Sequence, residues 1–257
     1  MRVAELSRDD FLNVYLDYQP GEHVAFFEPT QQGKTHLMYQ MLGVTMDRHP
    51  ELSAVSLMPK SRDPATREWA ERLGMRVVDR WPPPGRFPWQ DKPPGYVLWP
   101  MHLARGTVKA NREHVGRILR AGLHQQFKRG SSITVMDDMY LGAVLLGLNP
   151  ECEEILTAGG GGGAGLWLTS QKPSGTRSGG SLTSFAYNSP QHIILGQDPM
   201  VENRKRFDNI GGIDSGAVAG IVARLRKHRV ETPYGVKNIS EKLYIRKDGP
   251  YMAIIGI

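Results

Sequence analysis

The stretch FFEPTQQGKTHL, residues 26–37, carries residue types that bind phosphate groups. An apolar segment leads into a turn that closes on Gly33-Lys34-Thr35. This order is typical of the loop G-x-x-x-x-G-K-[ST] (Walker A), in which backbone N–H groups surround the phosphates, the lysine reaches their outer oxygens and the hydroxyl binds Mg²⁺. We expect ATP and Mg²⁺ as cofactors, with Thr35 a metal ligand and with these nucleotide-binding residues: Pro29, Thr30, Gln31, Gln32, Gly33, Lys34 and Thr35.

The first position of this loop departs from the pattern, because Glu28 stands where a glycine is usual. A glycine there eases the turn out of the strand, whereas the cradle of N–H groups depends more on residues 31–35. A glutamate is compatible with phosphate binding if its carboxylate points away from the phosphates. If it points towards them, like charge weakens ATP binding and Glu28→Gly should tighten it. The sequence leaves both orientations open.

Two acids follow another apolar segment, SSITVMDD, at residues 131–138. In ATPases with a phosphate-binding loop, an acid at the end of a neighbouring strand serves the Mg²⁺ ion (Walker B), and a following acid orients the attacking water. Asp137 is therefore the candidate metal ligand and Asp138 the candidate catalytic acid. An aspartate reaches less far than the usual glutamate, so we expect hydrolysis to be slow or to need a partner subunit.

A third polar group follows the apolar segment of LWLTSQKPS, residues 166–174. Gln171 and the preceding Ser170 would lie at a strand tip, where a side chain can touch the γ-phosphate or the attacking water. Gln171 is the candidate catalytic sensor. The same residues could equally be ordinary polar groups at the end of a strand.

The elements needed to position these residues are predicted as strands that alternate with helices, the pattern of a mostly parallel sheet with helices on both faces. The six prolines of residues 82–94 exclude a helix or an inner strand there. The segment DSGAVAGIVARLRKHR predicts a basic helix, and KLYIRKDGPYMAIIGI predicts a β-hairpin around Asp248-Gly249. We expect one domain over residues 1–257, with a core at about 21–215 and the basic helix and hairpin at 216–257. Strands are predicted at 23–27, 53–58, 75–78, 96–101, 131–138, 166–169 and 191–195.

The composition favours a basic protein without a membrane segment. The 257 residues carry a formal charge of +6, and no apolar run approaches the roughly 18 residues that a membrane span requires. We expect a cytoplasmic protein and a polyanionic partner. Cys152, the single cysteine, excludes an internal disulfide.

The order of these motifs resembles the FtsK/HerA superfamily of DNA-translocating ATPases over about residues 21–215. The segments that carry the resemblance are the phosphate loop, the strand ending in two acids, AGGGGGAGLWLTSQKPS, and SPQHIILGQDPMVENRKRFDNIGG. The resemblance implies an ASCE-type, RecA-like P-loop NTPase fold, a homo-oligomeric ring of five or six subunits, and ATP-driven movement of double-stranded DNA. It also implies the roles given above for Lys34, Thr35, Asp137, Asp138 and Gln171.

One departure from this family concerns an arginine in its glycine-rich segment, since residues 159–163 are all glycine here. If a neighbouring subunit must present an arginine to the γ-phosphate, another residue has to supply it. Arg177 is the first candidate, followed by Arg204 and Arg206.

Contacts with DNA phosphates require lysine and arginine. The segment RLRKHR supplies the candidates, although a run of charges can also be a solvated helix face. The candidate DNA-binding residues are Arg224, Arg226, Lys227 and Arg229.

The sequence therefore favours a DNA-stimulated ATPase that packages a phage genome in the host cytoplasm and docks on a portal. A plasmid, conjugative or HerA-like DNA translocase remains an alternative. So does an ATP-gated binding protein with little hydrolysis, which Glu28 and Asp138 favour. A small P-loop kinase is disfavoured, because no arginine cluster stands where a lid would bind a second substrate.

Overall fold

The computed structural model shows an α/β protein whose strands are mostly parallel and flanked by helices. Its residues form two compact units, one from residues 1–18, 23–44 and 169–257 and the other from 19–22 and 45–168. The structure describes residues 3–29, 32–85, 91–171, 185–198, 200, 215–232, 235–248 and 251–257.

Three strands, at residues 4–6, 227–232 and 235–240, were missed by the sequence analysis, and the other strands agree with the predicted segments. The strands are β1 (Ala4–Leu6), β2 (Val24–Phe27), β3 (Ser53–Leu57), β4 (Arg76–Val78), β5 (Gly95–Leu98), β6 (Ser132–Met136), β7 (Ala164–Ser170), β8 (His192–Gly196), β9 (Lys227–Thr232), β10 (Gly235–Ser240), β11 (Lys242–Arg246) and β12 (Tyr251–Ile255).

The helices begin where side chains can satisfy their first N–H groups. The Ser7 hydroxyl accepts from Asp10 N (3.0 Å), and the Asp63 carboxylate accepts from Ala65 N (3.1 Å), so both residues are N-caps. The α-helices are α1 (Arg8–Asp10), α2 (Lys34–Arg48), α3 (Pro64–Arg72), α4 (Val108–Arg129), α5 (Asn149–Glu154), α6 (Phe185–Asn188) and α7 (Ser215–Arg224). Shorter helical turns are Phe11–Tyr15, Tyr140–Leu145, Ile155–Gly159 and Gly160–Gly162.

In the second unit, the strands form a parallel sheet in the order β7, β6, β3, β5, β4. Every residue of β3 and β6 is buried, as is typical of parallel strands, which read as continuous apolar runs. Helix α4 packs against β3 and β6 through Val115, Leu119 and Leu123. Because the strands are parallel, their carboxyl ends meet at one edge, and Asp137 and Asp138 lie there.

In the first unit, the strand order is β1, β12, β11, β8, β2. Strand β2 pairs parallel to β8, whereas β11 runs antiparallel to both β8 and β12. The predicted closing hairpin is thus confirmed as β11 and β12. Helix α7 packs against β11.

The predicted basic helix is too long, and its helical conformation at residues 225–229 is wrong. Helix α7 ends at Arg224, and residues 227–232 form β9, which pairs antiparallel to β10. The charged run carries no periodicity of its own, and the backbone of residues 235–240 supplies the hydrogen-bonding partner that makes it a strand. Most of the segment DPMVENRKRFDNI, which carries part of the predicted family resemblance, lies outside the described residues.

Across the described part of the chain, every helix is too short or too polar to traverse a lipid bilayer.

Candidate functional site: a phosphate-binding loop and two acids

Strand β2 and helix α2 lie where the sequence predicts them, on either side of the candidate phosphate-binding residues. Gly33 has a φ of +93°, in the left-handed region that favours glycine, and a Cβ there would lie 3.2 Å from the Ile239 side chain. The Gly33 carbonyl accepts from Leu37 N at 3.2 Å, so α2 begins directly after it. Lys34 and Thr35 therefore lie in the first turn of a 15-residue helix, and the N-terminal end of a helix dipole favours anions. Thr30 and Gln31 lie outside the described residues.

Glu28, the departure from the pattern, is turned into the protein interior. Its side chain is only 2% exposed, and its Oε1 accepts from the Lys242 ammonium and from the Ser240 hydroxyl (2.9 Å). Lys242 is itself 1% exposed. The charge of the carboxylate is therefore compensated inside the unit, where solvent and ligands do not reach it.

The register of three strands explains how this pair meets. Phe27 pairs with Leu195, so Glu28 follows next to Gly196, and Gly196 pairs with Lys242 on the far side. A Cβ at Gly196 would collide with the Glu28 side chain. Glycine in the middle of this row thus leaves the space in which the two charged side chains join.

Burial has a further effect on this cluster. Desolvation lowers the pKa of the Lys242 ammonium, and the charge of Glu28 and its hydrogen bond offset part of that decrease. Desolvation also lowers the pKa of Arg8, again partly offset by Glu28. Glu28 Oε2 and Arg8 Nε are buried without a hydrogen bond to any described residue. The buried carboxylate of Glu28 therefore interacts electrostatically with two cationic side chains, Lys242 and Arg8.

The third predicted polar segment lies beside the loop's first residue. Glu28 N donates to Ser170 O (3.0 Å), which places the end of β7 next to the end of β2. Ser170 is buried and Gln171 is exposed. The strand-tip position predicted for these two residues matches the structure, and their catalytic role stays a prediction.

In the second unit, the two acids differ in their surroundings. Asp137 is completely buried, and its Oδ2 accepts from Lys60 Nζ at 3.2 Å. Asp138 has a φ of +73°, and its Oδ1 accepts from Leu141 N at 3.2 Å. Asp138 thus caps the helical turn that follows it. Among the described residues, no group of three or more His, Cys, Asp or Glu side chains could hold a metal by itself. A threonine hydroxyl, such as that of Thr35, and a carboxylate, such as that of Asp137, are each oxygen ligands of the kind that Mg²⁺ prefers.

Comparisons with known proteins bear on the fold. No family model and no curated protein matches the chain. Among solved structures, it is similar to the genome packaging NTPase B204 from Sulfolobus turreted icosahedral virus 2, whose sequence is 14% identical. Two complexes of that protein match, one with ATPγS and one with sulfate. The complex with ATPγS has a TM-score of 0.56 and covers 92% of this chain and 98% of that chain. The sulfate complex has a TM-score of 0.58, with 93% and 98% covered. B204 from Sulfolobus turreted icosahedral virus, a DNA-packaging ATPase, has 15% identity, a TM-score of 0.57, and 92% and 98% covered.

The chain has the fold of a P-loop NTPase. The predicted fold class and the predicted likeness to viral packaging ATPases are thereby confirmed. The candidate phosphate-binding loop, the segment from Glu28 to Thr35, is called the P-loop below.

Lys60 beside Asp137 is a residue that sequence reasoning missed. It follows the end of β3, the neighbour of β6, and it lies 4.0 Å from Asp63 as well. Desolvation lowers the pKa of Lys60, but the charges of Asp137 and Asp138 and the hydrogen bond to Asp137 outweigh it, so the pKa is raised. The available signal was the position of Lys60, three residues after the end of β3. The carboxyl end of β3 lies at the same edge of the sheet as that of β6, the strand that leads to the two acids.

The candidate DNA-binding residues are divided between two elements. Arg224 ends α7, and Lys227 and Arg229 are exposed on β9. Arg226, which lies between Arg224 and Lys227 in the chain, donates from Nε to Glu241 Oε1 at 2.7 Å. Its guanidinium therefore contacts the base of the hairpin formed by β9 and β10. Arg177, Arg204 and Arg206 lie outside the described residues.

Proposed function

We propose that this protein is an ATP-hydrolysing motor that moves double-stranded DNA and packages a viral genome. The observation that carries the proposal is the P-loop, with Gly33 in the left-handed conformation at the start of α2, in a chain similar over nearly its whole length to a genome packaging NTPase. That protein was observed with ATPγS, and we propose that this chain also binds ATP, with Mg²⁺.

The proposed roles follow the chemistry of each side chain. Lys34 contacts the outer phosphate oxygens, and the hydroxyl of Thr35 and the carboxylate of Asp137 serve the metal. Asp138 and Gln171 orient the attacking water, and Arg177 of a neighbouring subunit stabilises the γ-phosphate charge. The remaining P-loop residues supply the N–H cradle: Pro29, Thr30, Gln31, Gln32 and Gly33, of which Pro29 contributes only its shape because it has no N–H.

The proposed partners are double-stranded DNA and further copies of the chain. We propose a ring of five or six subunits that docks on a portal or similar complex and works in the cytoplasm, the host's if the gene is viral. The exposed Arg224, Lys227 and Arg229 contact DNA phosphates, which favour cationic side chains regardless of base sequence.

Phosphate release measured with and without double-stranded DNA tests this function, provided the oligomeric state is determined in the same buffer. We expect DNA to raise the rate, and Lys34→Ala or Asp137→Ala to lower it by at least about a hundredfold, since each removes a charge that acts on the reacting phosphates. A chain that stays monomeric, with a rate unchanged by DNA, would exclude the motor.

One observation favours a second function, that of an ATP-gated binding protein with little hydrolysis. The carboxylate of Asp138 caps the turn after it, and this contact competes with orienting a water. Tight ATP binding with almost no phosphate release, under every DNA condition, is the result expected of that protein.

A further inference from the structure

The base of the hairpin formed by β9 and β10 is bonded to the P-loop. Ser240 ends β10, and its hydroxyl donates to Glu28 Oε1 and lies 3.0 Å from Gln32 Oε1. Ile239, one residue earlier, faces Gly33 so closely that a Cβ on the glycine would meet its methyl group at 3.2 Å. The end of this hairpin therefore follows the P-loop from its first residue to its glycine.

Lys242, two residues after Ser240, connects two positions of the P-loop. Its buried ammonium donates to Glu28 Oε1 at the first position and to the Gln32 carbonyl (2.8 Å) just before Gly33. The Ser240 carbonyl accepts from the same ammonium at 2.8 Å. The Ser240 hydroxyl oxygen lies at 2.8 Å as well, so these four acceptors share the three N–H donors of the ammonium. Lys242 thus ties the first and fifth positions of the loop to each other and to β10.

The start of the hairpin, just before β9, is held next to its end, just after β10, by hydrogen bonds between Arg226 and Glu241. Arg226 N donates to Glu241 Oε2 (2.9 Å), and Glu241 N donates to Arg226 O (2.9 Å). Glu241 lies between Ser240 and Lys242 in the chain. Both ends of the hairpin therefore converge on the residues that hold the P-loop.

We propose that Lys242 is a positioning residue that holds the P-loop in its phosphate-binding conformation and couples nucleotide occupancy to hairpin β9–β10. The inference rests on the proposed function only in assuming that the P-loop binds nucleotide. Any ligand that binds the P-loop acts, through Ser240 and Lys242, on a hairpin that exposes Lys227 and Arg229. Coupling of this kind is reciprocal, so a contact that orders the hairpin also favours nucleotide binding.

The test compares the full-length wild-type protein with Lys242→Met and with the double variant Glu28→Gln/Lys242→Met. Lys242→Met leaves Glu28 buried without its main partner and can fail to fold. The double variant removes both charges, and so its thermal stability should recover. The Gln32 carbonyl still lacks its donor in the double variant. A positioning role therefore predicts that ATPγS binding stays about tenfold weaker than in the wild type although stability recovers.

Hydrogen exchange of the hairpin amides, with and without ATPγS, provides a second measurement that does not need DNA. We expect ATPγS to slow exchange over residues 227–240 in the wild type and to have no such effect in the double variant. Lys247→Met is the matched control, because Lys247 donates to Asn188 O, away from the P-loop. It should retain both the wild-type affinity and the wild-type exchange response.

The inference is overturned if the double variant binds ATPγS as the wild type does, or if ATPγS leaves hairpin exchange unchanged in the wild type. A wild-type protein that binds ATPγS and shows the coupling, but releases no phosphate with DNA, would overturn the motor function and leave this inference standing. Failure of the wild type to bind ATPγS would overturn both.

Discussion

At the scale of single residues, Glu28 shows how a motif can lose one position and keep its geometry. The carboxylate that replaces the loop's first glycine is neutralised by Lys242, and Gly196 provides the room between them. Glu28 follows β2, Gly196 ends β8, and Lys242 lies on β11. A change at one of them therefore needs a matching change at the others.

This arrangement predicts the outcome of Glu28→Gly. The change removes the partner of a buried ammonium, which is expected to cost about 3–5 kcal/mol of the free energy of unfolding. It also frees the Lys242 side chain from one end of the loop, and ATPγS binding should weaken. Urea unfolding and ATPγS titration would measure the two effects, with Lys247→Met as the control. Tighter binding in Glu28→Gly would mean that the carboxylate opposes the phosphates after all.

The sequence was sufficient for residues whose role is local. Gly33, Lys34 and Thr35 were found from their spacing, because a strand, turn and helix are fixed by neighbours in the chain. Lys242 was missed, because its partner Glu28 lies 214 residues away and a lone lysine in an apolar strand carries no sign of its contact. Lys60 was missed for the same reason, since its partner Asp137 is 77 residues distant.

At the scale of elements, the hairpin of β9 and β10 replaces the C-terminal end of the predicted basic helix. A helix would spread Arg224, Lys227 and Arg229 around its axis, whereas a strand puts residues 227 and 229 on one face. Two cations on one face of a hairpin suit the regular spacing of a nucleic acid backbone. The hairpin is thus a better candidate for phosphate contacts than a solvated helix would be.

We therefore predict that Lys227→Ala/Arg229→Ala weakens DNA binding, because the variant neutralises fewer phosphates. The slope of log affinity against log salt concentration should become shallower by about 0.9 for each phosphate that is no longer bound, whatever the DNA sequence. Binding to a labelled duplex across a salt series would measure it. Lys109→Ala/Arg112→Ala, which removes two exposed cations from α4, is the matched control. An unchanged slope in the hairpin variant would assign DNA contact to other residues.

At the scale of the whole molecule, likeness to B204 extends over 92% of this chain at 14% identity. The strands follow the order of the P-loop fold, and their polar residues lie at the strand ends typical of that fold. Most side chains differ from those of B204. The alternation of apolar strands and helices predicted this fold from the sequence, because burial of a parallel sheet needs only apolar residues of about the right size. Assembly needs contacts between copies, which a single chain does not encode in any short motif.

If the chain works as a ring, inactive subunits should inhibit ATP hydrolysis by the active subunits of the same ring. Mixing Lys34→Ala protein into the wild type is expected to lower DNA-stimulated phosphate release more steeply than the wild-type fraction falls, since each site would depend on its neighbour. Mixing with Lys247→Met protein gives the reference curve. A strictly proportional decrease with Lys34→Ala would show that the subunits hydrolyse ATP independently.

The buried link between Lys242 and the P-loop also sets a limit on dissection of the protein. A fragment that ends near residue 215 would contain the whole P-loop, both acids and Gln171, and by motif content it would be a complete ATPase. It would nevertheless lack Ser240 and Lys242, the two residues whose side chains donate hydrogen bonds to the Glu28 carboxylate. The smallest piece of this chain that can keep its nucleotide loop in shape must extend through β11.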